Sequence, residues 1–260
     1  MHIPVKIITH GGNAQQSLED AVAAMRDCKY TNLVHIWTVD IGDSGWDKHF
    51  DSLSHSDLMT AACLHGNELQ VQQKRSRSAL RALLGRYANK QPGGIEFRYG
   101  EWGKPEVLDL SPGFNLSHSN NRALVAIGPK SIGVDIESIR MTEKNVTEMA
   151  DYICGPDERR SLSCLPGIAR LLQFLKIWVR KEAYLKAVGI GLKGRLCDVR
   201  FSPKVSEMIS QVIDDSECGK EVFYAYDLDI FDNYAACVCT SLPAANIEIL
   251  HAYPHDFAQD

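Results

Sequence analysis

The feature that most constrains the fold is an order of predicted elements that occurs twice along the chain. A run rich in β-branched and aromatic residues predicts a strand at 33–39, and apolar residues at helical spacing predict a long helix at 67–88. The same order returns as a strand at 131–136 and a long helix at 168–187. Short strands are also predicted near 95–99, 114–117 and 122–127, and near 198–202, 221–229 and 233–240. The pattern predicts an α+β fold of two similar halves, each a small antiparallel sheet packed on a long helix, forming an intramolecular pseudo-dimer.

This organisation divides the 260 residues into four segments. The first α+β half is expected at 33–130 and the second at 131–245, with a C-terminal tail at 246–260. Residues 1–32 form an N-terminal extension, in which apolar residues at helical spacing predict a helix over 14–27. No function is predicted for this extension.

Composition and charge exclude several classes of protein. The chain is 45% apolar and 23% charged, which is ordinary for a globular protein and excludes disorder, collagen and a coiled coil. Its longest apolar runs, such as 123–127, are far shorter than the roughly 20 residues of a membrane span. Because the N-terminus carries no secretory signal, we expect a cytoplasmic protein. The net charge of −5 gives no overall attraction to nucleic acid or to an anionic membrane, and neither is expected as a partner.

The cysteines do not form a metal-binding or disulfide pattern. There are eight, with no C-x-x-C pair. Cys237 and Cys239 would share one face of a strand, but a zinc site needs two more ligands at workable spacing. We therefore expect free, mostly buried thiols.

Positive charge is concentrated in one stretch of the first half. No acidic residue occurs between Glu68 and Glu96. The stretch contains six basic residues, which are Lys74, Arg75, Arg77, Arg81, Arg86 and Lys90. Two interpretations remain open: a solvated helix face, or a local anion site on an otherwise acidic protein.

Two carboxylates lie two residues apart in the strand sequence GVDIE. The alternation of a strand directs Asp135 and Glu137 to the same face, where like charges repel. A fold that keeps both can hold a cation between them, whereas an edge strand with two solvated acids is the simpler alternative.

The second long helix adds a third acid and a lysine. In WVRKEAYLKAVGIGL, the side chains of Trp178, Glu182 and Lys186 recur every four residues on one face. The helix is predicted to end at Gly189, and the Gly189-x-Gly191 turn suits a left-handed C-cap. An exposed Glu–Lys pair on an amphipathic helix is the alternative reading of this face.

Three carboxylates match the requirements of a hard cation. Mg²⁺ takes oxygen ligands and shares its remaining positions with water and substrate phosphates, so Asp135, Glu137 and Glu182 are candidate ligands. Lys186 would then stabilise charge on a leaving phosphate. Upstream, GKP at 103–105 and FNLSHS at 114–119 add a lysine, hydroxyls and a histidine in loop-like segments.

In this order, GKP, FNLSHS, GVDIE and WVRKEAYLKAVGIGL closely resemble the motifs of the 4′-phosphopantetheinyl transferases of the larger, pseudo-dimeric, surfactin-synthetase-activating-like type. The resemblance covers roughly 33–240, and the helix SRSALRALLGRY at 76–87 resembles the family's R-x-x-x-R helix. It implies a Mg²⁺-dependent enzyme, with Mn²⁺ as a possible substitute. Such an enzyme moves the phosphopantetheine arm of coenzyme A to a serine of an apo acyl or peptidyl carrier protein and releases adenosine 3′,5′-bisphosphate.

The resemblance also implies residue roles. The implied metal ligands are Asp135, Glu137 and Glu182; the implied catalytic residues are Glu182, Lys186 and His118; the implied coenzyme A contacts are Lys104, Ser117, His118, Arg77, Arg81 and Lys186. The chain departs from the family at Gln72, where many members have an arginine, so which basic residue contacts the 3′-phosphate is left open. We expect Arg77 and Arg81 to turn toward the cofactor phosphates or to brace the helix.

The carrier is not identified by the sequence, since fatty-acid, polyketide and nonribosomal-peptide carriers all present a serine on an acidic helix. Lys74, Arg75, Arg86 and Lys90 are the expected outward charges for such a partner. A duplicated chain carries its own two-fold axis, so a monomer is expected. The alternatives are a Mg²⁺-dependent diphosphate hydrolase and a non-catalytic module that binds coenzyme A or a carrier.

Overall fold

A computed structural model describes most of the chain, and its residues form two compact units. The described residues are 14–26, 32–140, 142–191, 195–202, 209–214, 222–243 and 245–257. We call the described residues of Val5–Arg98, Pro105–Lys130 and Asn246–Asp260 the first unit. The described residues of Tyr99–Lys104 and Ser131–Ala245 form the second unit.

Helices and strands occur in both units, as the α+β prediction requires. The helices are α1 (Ala14–Arg26), α2 (His55–Ala62), α3 (Asn67–Ala88), α4 (Glu143–Ile153), α5 (Pro156–Ser163) and α6 (Gly167–Val188). The strands are β1 (Leu33–Asp40), β2 (Arg98–Tyr99), β3 (Pro105–Glu106), β4 (Gly113–Ser119), β5 (Arg122–Gly128), β6 (Ile132–Ser138), β7 (Val199–Phe201), β8 (Ile209–Asp214), β9 (Tyr224–Leu228), β10 (Tyr234–Thr240) and β11 (Asn246–Ala252). Among the described residues, no helix is both long and apolar enough to cross a membrane.

The sheet of the first unit has the strand order β11-β1-β5-β4. Strands β1, β5 and β4 are antiparallel neighbours, but β11 pairs in parallel with β1, with Leu33 opposite Asn246. The prediction of a C-terminal tail at 246–260 is therefore wrong. The sequence NIEILHA at 246–252 adds a strand to the first sheet, because its apolar residues Ile247, Ile249 and Leu250 enter buried positions.

Helix α3 supplies the apolar face that packs into the core of the first unit. The predicted apolar stripe of Leu80, Leu83, Leu84 and Tyr87 is buried. The Tyr87 hydroxyl accepts a hydrogen bond of 3.0 Å from Nε1 of Trp37 on β1. The predicted bounds of this helix, 67–88, are confirmed.

The second unit contains an antiparallel sheet of five strands in the order β6-β10-β9-β8-β7. Helix α6 packs against β6 and β10. Its residues Phe174, Leu175 and Ala183 are part of the core of this unit. Gly189 has a φ of 83° and ends the helix in a left-handed C-cap, as predicted.

Several elements were not predicted from the sequence. Helices α2, α4 and α5 and strand β8 are short or polar, so their periodicity is weak. The strand expected near 95–99 reduces to the two residues Arg98–Tyr99, and a 3₁₀ turn at Pro92–Gly94 precedes it. The described free thiols of Cys154, Cys237 and Cys239 are buried, but those of Cys63 and Cys164 are exposed.

Candidate active site

The motif GVDIE lies in β6, and α6 packs closely on this strand. A Cβ atom at Gly133 would overlap the carbonyl oxygen of Ala183 and lie 2.9 Å from the carbonyl carbon of Lys186. Only glycine allows the helix backbone to approach this closely. Since strand residues alternate, Asp135 and Glu137 share the face of Gly133 and therefore lie on the α6 side of the sheet.

Asp135 forms an ion pair with the helix above it. Nζ of Lys186 donates a hydrogen bond of 2.6 Å to Oδ1 of Asp135. The Asp135 side chain is 4% exposed and that of Lys186 is 29% exposed, so the pair lies at the edge of the core. One turn of helix separates Lys186 from Glu182, which brings that second carboxylate to the same region.

The charges of Glu182 and Asp135 interact. Burial raises the pKa of Glu182, the negative charge of Asp135 raises it further, and the ammonium of Lys186 lowers it in part. The net pKa of Glu182 is above its ordinary value. A carboxyl group with a raised pKa can hold or accept a proton at a pH closer to neutrality than an exposed glutamate can.

The predicted metal ligands fit a hard cation in their chemistry but are not assembled around one. Among the described residues, no three acidic, histidine or cysteine side chains form a group that could hold a metal ion. At Asp135 the ammonium of Lys186 supplies the counter-charge. Asp135, Glu137 and Glu182 nevertheless offer only oxygen donors, and the repulsion between Asp135 and Glu182 would be relieved by a divalent cation.

Lys104 is hydrogen bonded both to the end of α6 and to the start of β6. Its Nζ donates hydrogen bonds of 2.7 Å to the carbonyl oxygen of Ala187 and 3.0 Å to that of Ile132. The carbonyl at the end of the helix is an orphan acceptor, and a cation is favourable there. Lys104 thus has a structural role in the second unit, and its contact with coenzyme A stays a prediction.

Comparison with known proteins identifies the family. The family model for the 4′-phosphopantetheinyl transferase superfamily matches residues 131–239. The 4′-phosphopantetheinyl transferase HetI of Nostoc sp. is 35% identical over 166 residues, which are 61% of this chain and 70% of that protein. This chain belongs to the 4′-phosphopantetheinyl transferases. The resemblance inferred from the motifs is confirmed.

Other members of the family match over shorter parts of their length. A putative 4′-phosphopantetheinyl transferase of Synechocystis sp. is 39% identical over 127 residues, 47% of this chain and 51% of that protein. A 4′-phosphopantetheinyl transferase of Bacillus subtilis is 29% identical over 153 residues, 58% of this chain and 66% of that protein. The chain thus spans between half and seven-tenths of the length of these three relatives.

The segment that matches the transferase superfamily contains the acidic cluster and excludes the other predicted residues. Asp135, Glu137, Glu182 and Lys186 fall within 131–239. The remaining predicted residues, Arg77, Arg81, Lys104, Ser117 and His118, precede it. The roles of all these residues stay predictions.

The motif FNLSHS lies in a strand, as predicted near 114–117, and not in a loop-like segment. Gly113–Ser119 forms β4, the edge strand of the first sheet. Ser117 is buried, and Nε2 of His118 lies 3.0 Å from Oε1 of Gln73 on α3. The roles of Ser117 and His118 toward coenzyme A stay predictions.

The two arginines of the R-x-x-x-R helix bind a carboxylate of the first unit. Nε of Arg77 and Nε of Arg81 each donate a hydrogen bond of 2.7 Å to Asp57, one to each oxygen. Arg81 also donates to the carbonyl oxygen of Ile95, and both guanidinium groups lie over the ring of Phe97. These contacts favour the second of the two expectations, in which the arginines brace the helix.

The outward charges expected at four positions are mostly engaged within the first unit. Arg75 forms a bidentate pair with Asp47, at 2.7 and 3.1 Å, and its side chain is only 14% exposed. Arg86 donates to the carbonyl oxygen of Asp256. Arg75 also donates to the carbonyl oxygens of Ile41 and Gly42, and its availability to a carrier stays a prediction.

Two important residues were missed from the sequence. Lys181 is fully buried, and its ammonium donates to the carbonyl oxygens of Ile153 and Leu196 and to Oε2 of Glu158. It holds the ends of α4, α5 and the turn at 196–198 against α6. Gly133 was not singled out either, although a glycine inside an apolar strand is a signal of close approach by another backbone.

Proposed function

We propose that this protein transfers the 4′-phosphopantetheine group of coenzyme A to a serine of an apo carrier protein and releases adenosine 3′,5′-bisphosphate. Membership of the transferase family supports the reaction class. The observation that carries the proposal is the cluster of Asp135, Glu182 and Lys186, which lies inside the segment matched by the family model.

Glu182 is the proposed proton acceptor. Its raised pKa has identified causes, burial first and the charge of Asp135 second. A general base needs a pKa near the working pH, so that it is ionised yet accepts a proton readily. We propose that Glu182 removes the proton of the carrier serine, directly or through water, as the serine oxygen attacks the β-phosphorus of coenzyme A.

Asp135, Glu137 and Glu182 are the residues that would hold Mg²⁺, or Mn²⁺ in its place. When bound, such a cation neutralises diphosphate charge that otherwise repels the attacking oxygen. The backbone fixes the positions from which these carboxylates project, because Asp135 and Glu137 share a strand and Glu182 lies on a helix packed against it.

Lys186 and His118 are proposed to act on the phosphate groups. A lysine ammonium can stabilise the negative charge that accumulates on the leaving adenosine 3′,5′-bisphosphate. His118, with Nε2 hydrogen bonded to Gln73, has a defined ring orientation in β4. Lys104, Ser117, Arg77 and Arg81 remain proposed coenzyme A contacts.

We also propose that the two units are the halves of a pseudo-dimer and that the protein works as a monomer. The support is that each unit contains one long helix of 22 residues, α3 or α6, and one sheet of four or five strands. The measurement is the mass in solution by light scattering, with a mass near 29.0 kDa expected.

One experiment separates transfer from the alternatives. The protein is incubated with coenzyme A, Mg²⁺ and an apo carrier protein, and the carrier mass is followed. A transferase raises the carrier mass by one phosphopantetheine group. A diphosphate hydrolase consumes coenzyme A without a carrier, and a binding module leaves both unchanged; either result would contradict the proposal.

Metal dependence is tested in the same assay. We expect an excess of a divalent-cation chelator to stop transfer, and Mg²⁺ or Mn²⁺ to restore it. Full activity in excess chelator would remove the metal from the proposed function.

A further inference from the structure

The ion pair between Lys186 and Asp135 occupies an oxygen that the proposed function assigns to a metal. The Nζ–Oδ1 distance is 2.6 Å, and the Asp135 side chain is 4% exposed. A carboxylate this buried requires a counter-charge, and the ammonium supplies it. A divalent cation bound to the same oxygen, at about 2.0–2.1 Å for Mg²⁺, would lie beside the ammonium and repel it.

We propose that Lys186 is an exchangeable counter-ion: its ammonium neutralises Asp135 when no metal is bound, and a divalent cation binds by displacing it. This inference rests on the proposed function, since it assumes that Asp135 is a metal ligand. It goes beyond that function by linking the position of Lys186 to the presence of the cation.

The balance of charge favours exchange over a permanent pair. Asp135 and Glu137 lie on the α6 side of β6, and Glu182 lies one turn from Lys186 on α6, so among the described residues three carboxylates share this region with the ammonium that is paired with Asp135. A cation of higher charge therefore neutralises this surface better than one ammonium does.

The lysine, rather than the aspartate, is the partner that can move. Asp135 lies within β6, and both Asp135 and its neighbours Val134 and Ile136 are buried. Lys186 lies in the last turn of α6 with a partly exposed, flexible four-carbon stem. Rotation about its side-chain bonds would release Asp135 without a change in the backbone. The released ammonium is then available to phosphate oxygens only when the cation is present.

Binding of Mn²⁺ to the full chain, without coenzyme A, tests the exchange. The fraction bound is measured by the loss of the electron paramagnetic resonance signal of free Mn²⁺. We expect Lys186→Met to bind Mn²⁺ at least about tenfold more tightly than wild type, because the cation no longer competes with an ammonium. Lys186→Arg, which keeps the charge, should bind no more tightly than wild type.

Lys176→Met is the matched control, because Lys176 is an exposed lysine of the same helix and its loss changes the net charge equally. Its affinity for Mn²⁺ should equal that of wild type. Circular dichroism confirms that each variant is folded. Equal affinity in wild type and Lys186→Met would overturn the exchange and leave the proposed function standing. No saturable Mn²⁺ binding in any form would contradict the metal site itself, and with it this part of the proposed function.

A second measurement uses only the wild-type protein. Amine acylation by acetic anhydride, read by mass spectrometry of peptides, reports how accessible Lys186 is. We expect Mg²⁺ to increase the labelling of Lys186 several-fold while the labelling of Lys176 stays constant. Labelling of Lys186 that is unchanged or reduced by saturating Mg²⁺ would overturn the exchange.

Discussion

Two clusters of charge, one in each unit, combine acidic and basic side chains in opposite proportion. In the first unit, one carboxylate, Asp57, is bound by two guanidinium groups, from Arg77 and Arg81. In the second unit, one ammonium, Lys186, binds Asp135 while Glu182 adds a further negative charge nearby. The first cluster has an excess of positive charge and the second an excess of negative charge.

The pKa shifts of the two clusters differ in direction for this reason. Burial would raise the pKa of Asp57, but Arg77 and the hydrogen bonds of Ser54 outweigh it, so the net pKa is below 3.8. At Glu182, burial and the charge of Asp135 both raise the pKa. The difference teaches that a satisfied network stabilises the fold, whereas an acidic cluster with too little positive charge is suited to binding a cation.

The largest effect is expected from removing a carboxylate of the second cluster. Asp135→Ala and Glu182→Gln should each reduce transfer by about a thousandfold or more, because an interaction made with developing charge is lost, and both should remain folded. The measurement is the rate of carrier modification at saturating Mg²⁺. Glu148→Ala, which removes an exposed acid of α4, is the control and should be fully active. Wild-type rates in the first two variants would remove these residues from the mechanism.

Removing the carboxylate of the first cluster should instead affect stability. Asp57→Asn leaves two buried guanidinium groups with reduced compensation, and we expect a loss of about 3–5 kcal/mol in the free energy of unfolding. Chemical denaturation at pH 7 measures this change. A loss below about 1 kcal/mol would show that the first cluster does not stabilise the fold.

The pH dependence of that loss has a definite sign. The pKa of Asp57 is lowered in the folded protein, so its contribution is present above the ordinary pKa of 3.8 and is lost as the pH falls through the folded value. The difference between wild type and Asp57→Asn should therefore be constant between about pH 5 and pH 8. A difference that changes across this range would point to another titrating group.

A smaller effect on stability is expected at Gly133, where β6 and α6 pack together. Gly133→Ala places a methyl group in overlap with backbone atoms of α6 at Ala183 and Ala187, so we expect a loss at the upper end of the about 1–3 kcal/mol that overpacking costs. Because Glu182 precedes Ala183, transfer should fall as well. Gly94→Ala is the matched control, since nothing lies within 4 Å of its Cβ position. Equal stability of Gly133→Ala and wild type would contradict the close approach.

The smallest effect is expected at an exposed charge outside both clusters. Lys90 pairs with Asp109 at 2.6 Å, and both side chains are exposed. Lys90→Ala should leave the melting temperature unchanged and raise the apparent KM for the carrier about two- to threefold at low salt. The KM for coenzyme A is measured alongside and should not change. A rise in the coenzyme A constant alone would assign this charge to the cofactor.

Motifs in the second half of the chain predicted most of the candidate site. Alternation in β6 placed Asp135 and Glu137 on one face, and helical spacing placed Glu182 and Lys186 on one face of α6. The direct bond between Lys186 and Asp135 could not be predicted, because it depends on how closely Gly133 lets the helix approach. The partners of Arg75, Arg77 and Arg81 likewise depend on the positions of Asp47 and Asp57 in the folded unit.

Local sequence patterns were sufficient to predict the repeated order of strand and long helix and the end of α6 at Gly189. The sequence motifs were also sufficient to predict the family. These features depend on interactions between residues within a few turns of one another, which periodicity and turn chemistry reveal. The parallel pairing of Leu33 with Asn246 and the ion pair of Lys186 with Asp135 were decided only in the folded chain. Both join residues distant in sequence, and their partners are selected by packing and by competition among charges rather than by any local preference.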